Sequence, residues 1–138
     1  MKDAGREITF FFDNCISKKL AAAMRVLGAT NIVHLQDDGF SEDAEDIEWV
    51  PKVAQRGHII VTGDKKMLSR PHELEALRVN KATAFFLCKR FVEMQRWDQA
   101  AWLFQAWPSI MQAASRALPG QCFDVAENRK VSEAHTKG

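Results

Sequence analysis

The sequence predicts an α/β fold in three layers: a small parallel sheet flanked by helices, followed by a long helix and a short terminal hairpin. Three observations predict it. The apolar runs at 8–12, 59–62 and 83–88 are continuous instead of alternating, as in strands buried on both faces. They are separated by segments of helical period, the β–α–β order that implies parallel strands and right-handed crossovers. Two of the runs also end in an aspartate, Asp13 after Phe12 and Asp64 after Val61-Thr62-Gly63. Sheets of this kind gather their ligands at the carboxyl edge.

Taken in order, Ile8 to Phe12 form the first strand, and Ser17 is a suitable N-cap for a helix from Lys18 to Leu27. Leu20, Met24 and Leu27 share one face of that helix, and Gly28 suits the position after it. Ile32 to Leu35 are a second strand. A helix then runs to about Arg56, burying Ile47, Val50, Val53 and Ala54, with a kink or a fresh start expected at Pro51 and an end at Gly57. The strand at 59–62 follows, then a helix from Pro71 to about Val79 with Leu74 and Leu77 inward, then a strand at 83–88. Trp97 to Leu118 read as a long helix kinked at Pro108, with Trp97, Ala101, Phe104, Trp107 and Met111 on its inner face. That aromatic stripe, at helical spacing, is read as core instead of a ligand box. Residues 121–126 and 130–132 read as a hairpin, and the tail from Ala134 to Gly138 is expected to fray. The 138 residues are read as one domain, with a core at about 8–90 and the helix and hairpin at about 95–133.

Composition narrows the class. Hydrophobic residues at 46% and charged residues at 27% are ordinary for a soluble domain, and a net charge of +1 gives no whole-molecule argument for a polyanion or a membrane surface. No apolar run approaches the about 20 residues of a membrane span, and the charged start Met1-Lys2-Asp3 does not resemble a secretory signal, so a cytoplasmic protein is expected. Cys15, Cys88 and Cys122 are odd in number and widely spaced, which suits reduced buried thiols. Without a Cys-x-x-Cys pair and with four scattered histidines, a zinc site is not expected.

Local charge is uneven. Asp37, Asp38, Glu42, Asp43, Glu45, Asp46 and Glu48 crowd a stretch without lysine or arginine, and most of them are explained as solvated groups or helix-start acids. Beyond Asp64 the sign reverses: Lys65, Lys66, Arg70, Arg78, Lys81, Lys89 and Arg90 face only Glu73 and Glu75 up to position 90. Asp13 and Asp64, joined by an acid near Asp46, would form a cluster that repels itself by roughly 4 kcal/mol per pair at 4 Å unless a cation or a shared proton relieves it. Oxygen ligands without sulfur or imidazole suit Mg²⁺ or Mn²⁺, and such an ion beside basic residues suits phosphodiester hydrolysis. The plainer alternative is that both aspartates simply cap loops at strand ends.

Together, the strand ending in Asp13, the acidic helix start at 43–48 with Asp46-Ile47-Glu48-Trp49-Val50, and Ile59-Ile60-Val61-Thr62-Gly63-Asp64-Lys65 resemble the PIN-like domain family. The resemblance is to the branch of VapC-type toxin ribonucleases in which a minimal core precedes a helix and hairpin, and so spans nearly the whole chain. It implies an RNA-cleaving enzyme that uses Mg²⁺ or Mn²⁺ and leaves a 5′-phosphate, the toxin of a toxin–antitoxin pair with a cognate antitoxin as partner. Asp13, Asp46 and Asp64 match the acidic catalytic and metal-binding positions, with Glu48 a substitute or supporting group. Lys65, Lys66, Arg70 and Lys18 are candidates to hold the RNA backbone. Many such domains carry a further acid two residues beyond the third aspartate. This chain has Lys66 there, which argues against a second tightly held metal and opens the alternative of an inactive module that binds RNA or a protein. Relatives of this kind often form homodimers, and the tryptophan-rich helix is a candidate interface. A haloacid-dehalogenase-like site would need an acid at the position of Cys15, and a receiver domain an acidic pair at the first strand end; neither is present.

Overall fold

The computed structural model describes residues 7–29 and 31–134. Six strands form one sheet in the order β2-β1-β3-β4-β5-β6. They are β1 (Phe10–Phe12), β2 (Ile32–His34), β3 (Ile59–Thr62), β4 (Ala84–Leu87), β5 (Cys122–Val125) and β6 (Val131–Glu133). Every pairing is parallel except that of β5 with β6. The helices are α1 (Lys18–Val26), α2 (Asp46–Gln55), α3 (Pro71–Val79), α4 (Lys89–Glu93) and α5 (Arg96–Ser115). The expected frayed tail beyond Ala134 lies outside the described residues.

The continuous apolar runs have the cause the pattern suggested. Each of β1, β3 and β4 is buried along its whole length. Successive side chains enter two separate cores, since the strand period is two. Phe10, Phe12, Val61, Phe85 and Leu87 pack with α1, α4 and α5 through Leu20, Met24, Phe91, Leu103 and Ile110. Phe11, Ile60, Ala84 and Phe86 pack with α2 and α3 through Trp49, Val50, Val53 and Leu77. Aromatic contacts tie both layers to the sheet, with Phe11 and Trp49 centroids 5.0 Å apart on one face and Phe10 and Trp107 4.7 Å apart on the other. This is the three-layer α/β/α arrangement expected from the sequence.

Several details differ from expectation. Leu27 is the C-cap of α1 and is 71% exposed, not part of the buried face formed by Leu20, Ala21 and Met24. Helix α2 makes no fresh start at Pro51, which lies inside it, and α5 spans Pro108. Burial of Trp49, Val50 and Val53 in α2, and of Trp107 and Ile110 in α5, holds both helices together despite the missing backbone donors. In α5 the inner stripe is Trp102, Leu103, Ala106, Trp107, Ile110 and Ala114, whereas Trp97 is 88% exposed and Met111 50% exposed. The helix is apolar over much of its circumference, so periodicity alone did not phase it. The terminal hairpin is not a separate appendage. Its β5 strand pairs in parallel with β4, from Ala84 opposite Cys122 to Leu87 opposite Val125.

Candidate metal centre

Because β1 and β3 are parallel neighbours, with Phe12 opposite Val61, both deliver their aspartates to the same edge. Asp13 is only 5% exposed. Its Oδ2 accepts the Thr62 hydroxyl at 2.6 Å and its Oδ1 accepts the Cys15 N–H at 3.1 Å. The Thr62 Oγ1 in turn accepts the Asp64 N–H at 3.0 Å. A threonine two residues before the second aspartate therefore ties the two strand ends together. Burial, reinforced by the nearby Asp64 charge, raises the Asp13 carboxyl to about 6, although its hydrogen bonds to Thr62 and Cys15 act the other way.

Gly63 permits this turn to lie close to its neighbours. A Cβ there would stand 2.8 Å from Val92 Cγ2 and 3.4 Å from Cys15 Cβ. Val92 is 46% exposed and can yield, so Gly63→Ala is expected to cost only about 1 kcal/mol in denaturant unfolding. It should nevertheless lower any activity of the site, since Gly63 immediately precedes Asp64 in the turn.

The carboxylates that converge are Asp46, Asp64 and Glu73, one oxygen from each lying within 4.8 Å of the others. They come from three places: the first residue of α2, the loop after β3, and the first turn of α3. Asp46 is raised to about 7, first by burial, then by its hydrogen bond to Glu73 and the negative charges of Glu73, Asp13 and Asp64. Burial together with acidic neighbours thus disfavours the charged carboxylate, as expected of a cluster short of positive charge. Its donor set is all oxygen, which suits a hard divalent cation.

One cation of the chain already reaches in. Arg70 Nη1 donates to Asp64 Oδ2 at 2.9 Å and to Glu73 Oε1 at 2.8 Å. The other Asp64 oxygen, Oδ1, accepts the Lys66 N–H at 3.2 Å, the turn that opens the short 3-10 segment Lys65–Leu68.

The residues singled out from the sequence thus fall into distinct places. Asp46 and Asp64 converge with Glu73, while Asp13 sits behind them with both oxygens engaged by Thr62 and Cys15. Glu48 is turned to the start of α2, where its Oε1 accepts the Glu45 N–H at 2.9 Å. Lys18 pairs with Asp37 at 3.8 Å, and Lys65 with Asp124 on β5 at 3.2 Å. The Lys66 side chain is exposed, and no ion pair involves it among the described residues. Glu73 was not singled out from the sequence: an acid in the first turn of a helix is usually explained by the helix dipole. The signal for it was that, up to position 90, it is one of only two acids in the basic stretch after Asp64.

Two other reactive groups near the edge are accounted for. Burial, with the Asp13 charge second, pushes the Cys15 thiol up to about 12, so it does not supply a thiolate. His34 is fully buried, with Nε2 2.7 Å from the Ile16 carbonyl and Nδ1 accepting the Gln36 N–H at 3.1 Å.

Fold and site together define an α/β protein whose parallel strands and flanking helices present an acidic, cation-seeking cluster at one sheet edge. The chain belongs to the PIN-like domain family: the family model described as a PIN like domain matches residues 8–89. The match ends just after β4, so α5 and the β5–β6 hairpin lie beyond it, a shorter span than the sequence resemblance implied. No curated protein and no solved structure matches the chain. PIN-like domains are commonly nucleases that use divalent metals, and the acidic cluster here is consistent with that class.

Proposed function

We propose that the protein is a divalent-metal-dependent endoribonuclease, with Mg²⁺ or Mn²⁺ held by Asp46, Asp64 and Glu73. The observation that carries this reading is the convergence of those three carboxylates from separate elements within 4.8 Å, in a chain of the PIN-like family. When bound, such an ion neutralises phosphate charge and makes water a better nucleophile. The protein's own groups supply the rest. Asp13 acts as a positioning residue: through Thr62 it fixes the backbone that presents Asp64. Asp46 gives up its proton when the cluster gains a cation, so the competent form builds up as pH rises through about 7. Lys66 contacts a backbone phosphate in this reading, supported by its exposure two residues beyond Asp64, while Lys65 contributes less because Asp124 pairs with it. We read the C-terminal helix and hairpin as part of the same domain, supported by the pairing of β5 with β4.

The finer reading is that the enzyme is the toxin of a toxin–antitoxin pair in the cytoplasm, released from a cognate antitoxin; it rests on the sequence resemblance. Among the described residues no helix is long and apolar enough to cross a membrane. A second reading, favoured by Lys66 where many relatives carry an acid, is an inactive module that binds RNA or a protein.

The test is incubation of the purified chain with single-stranded RNA and Mn²⁺ at pH 8. The expected result is internal cleavage leaving 5′-phosphates, abolished by EDTA. Saturable RNA binding without cleavage favours the inactive module, and cleavage indifferent to EDTA defeats the metal site.

A further inference from the structure

The acidic cluster already has an internal cation, and its placement bears on how a metal enters. A single nitrogen of Arg70 bridges Asp64 on the β3 loop and Glu73 on α3, at 2.9 and 2.8 Å. These are two of the three carboxylates that converge. The contact is not required by the backbone: Arg70 is the N-cap residue of α3, but its side chain makes no cap hydrogen bond. The side chain is 44% exposed, whereas those of Asp64 and Glu73 are 24% and 22% exposed. The guanidinium thus covers the cluster from the solvent side and can withdraw into water.

We propose that Arg70 is a resident counter-ion that competes with divalent metal for Asp64 and Glu73, and so sets the metal affinity of the site. This rests on the reading that the cluster binds metal. The guanidinium satisfies the cluster in part: it carries one positive charge and reaches two of the carboxylates, whereas a divalent ion carries two charges and can draw on all three. Both species draw on Asp64 and Glu73, and Arg70 already occupies an oxygen of each, so a metal would compete with it there. Once displaced, the guanidinium remains tethered at the start of α3, beside the cluster, where its forked donors suit a phosphate oxygen pair. One residue then serves the empty site as a counter-ion and the loaded site as a phosphate contact.

The experiment is isothermal titration of the full chain with Mn²⁺ at pH 8, comparing wild type with Arg70→Gln, Arg70→Lys and Asp64→Asn. If the metal-competent arrangement is present about one-tenth of the time, Arg70→Gln should bind Mn²⁺ about tenfold more tightly than wild type. Arg70→Lys, which keeps a cation on a different stem, should fall between them, and Asp64→Asn should lose binding. Thermal unfolding without metal is an independent readout. Arg70→Gln should melt below wild type, because the carboxylates lose their counter-charge, and should gain more in melting temperature from added Mn²⁺. Binding to Arg70→Gln that equals or falls below wild type, with wild type binding normally, overturns the role of Arg70 and leaves the metal site standing. Absence of binding in both overturns the two together.

Discussion

Asp64→Asn is expected to reduce Mn²⁺-dependent RNA cleavage by about a hundredfold or more, a larger loss than the 10–100-fold typical of residues that only support metal ligands. The substitution is chosen because it keeps nearly everything else. The side-chain carbonyl can still accept the Lys66 N–H, and the backbone N–H still reaches the Thr62 hydroxyl, so the turn after β3 should survive. What disappears is the charge that a cation would meet and that Arg70 now meets. Circular dichroism should be unchanged, and the melting temperature without metal should hold or rise, because removing one acid relieves repulsion on Asp46 and Asp13. Glu48→Gln in the same assay separates ligand from cap. With Glu48 bonded to the Glu45 N–H, the amide should cost only a fraction of a kcal/mol in stability and leave cleavage within about twofold. Equal cleavage by wild type and Asp64→Asn would remove the mechanism.

What was legible in the sequence was local. The strands could be found because both faces of β1, β3 and β4 are buried, which forbids alternation and leaves unbroken apolar runs. The Ser17 cap, whose side chain accepts the Lys19 N–H at 3.0 Å, and Pro71 at the start of α3 are equally local devices. The site was half legible for the same reason. Asp13 and Asp64 stand out because a polar residue at the end of a buried strand is conspicuous, and Asp46 because its helix follows an acidic run. Their relative placement was not legible, since it depends on how the fold packs the elements that carry them. Asp13 is buried and accepts hydrogen bonds from Thr62 and Cys15, while Glu73 joins Asp46 and Asp64 where α3 packs beside α2. No spacing rule contains that contact. Arg70 was read as a phosphate contact from the basic run around it; its present partners are acids.

The metal-free protein is expected to be more stable at pH 5 than at pH 8, the reverse of the usual carboxylate effect. Asp13 in the folded protein titrates at about 6 against an ordinary 3.8, so between those values the native state holds a proton that the unfolded state has lost. Stability therefore falls as pH rises through that window, and rises on acidification until the unfolded carboxyl is also protonated. Between pH 8 and pH 5 this contributes on the order of 1–2 kcal/mol from Asp13 alone. Asp46, at about 7, acts in the same direction, with its share reduced because solvent reaches it. His58 opposes them: burial lowers its pKa, so the fold loses stability as it becomes protonated on acidification. Asp13→Asn isolates the buried aspartate. It should flatten the dependence of melting temperature on pH, where wild type should melt several degrees higher at pH 5. Saturating Mn²⁺ should invert the slope, because metal binds the deprotonated cluster and its stabilisation grows as Asp46 ionises. The same carboxyls that weaken the empty fold at neutral pH are the ones a cation would use, so pH dependence with and without metal measures one quantity from two sides. A wild-type melting temperature that falls from pH 8 to pH 5 by as much as that of Asp13→Asn would show that Asp13 carries no excess proton. The burial argument for its role behind the metal ligands would then fail with it.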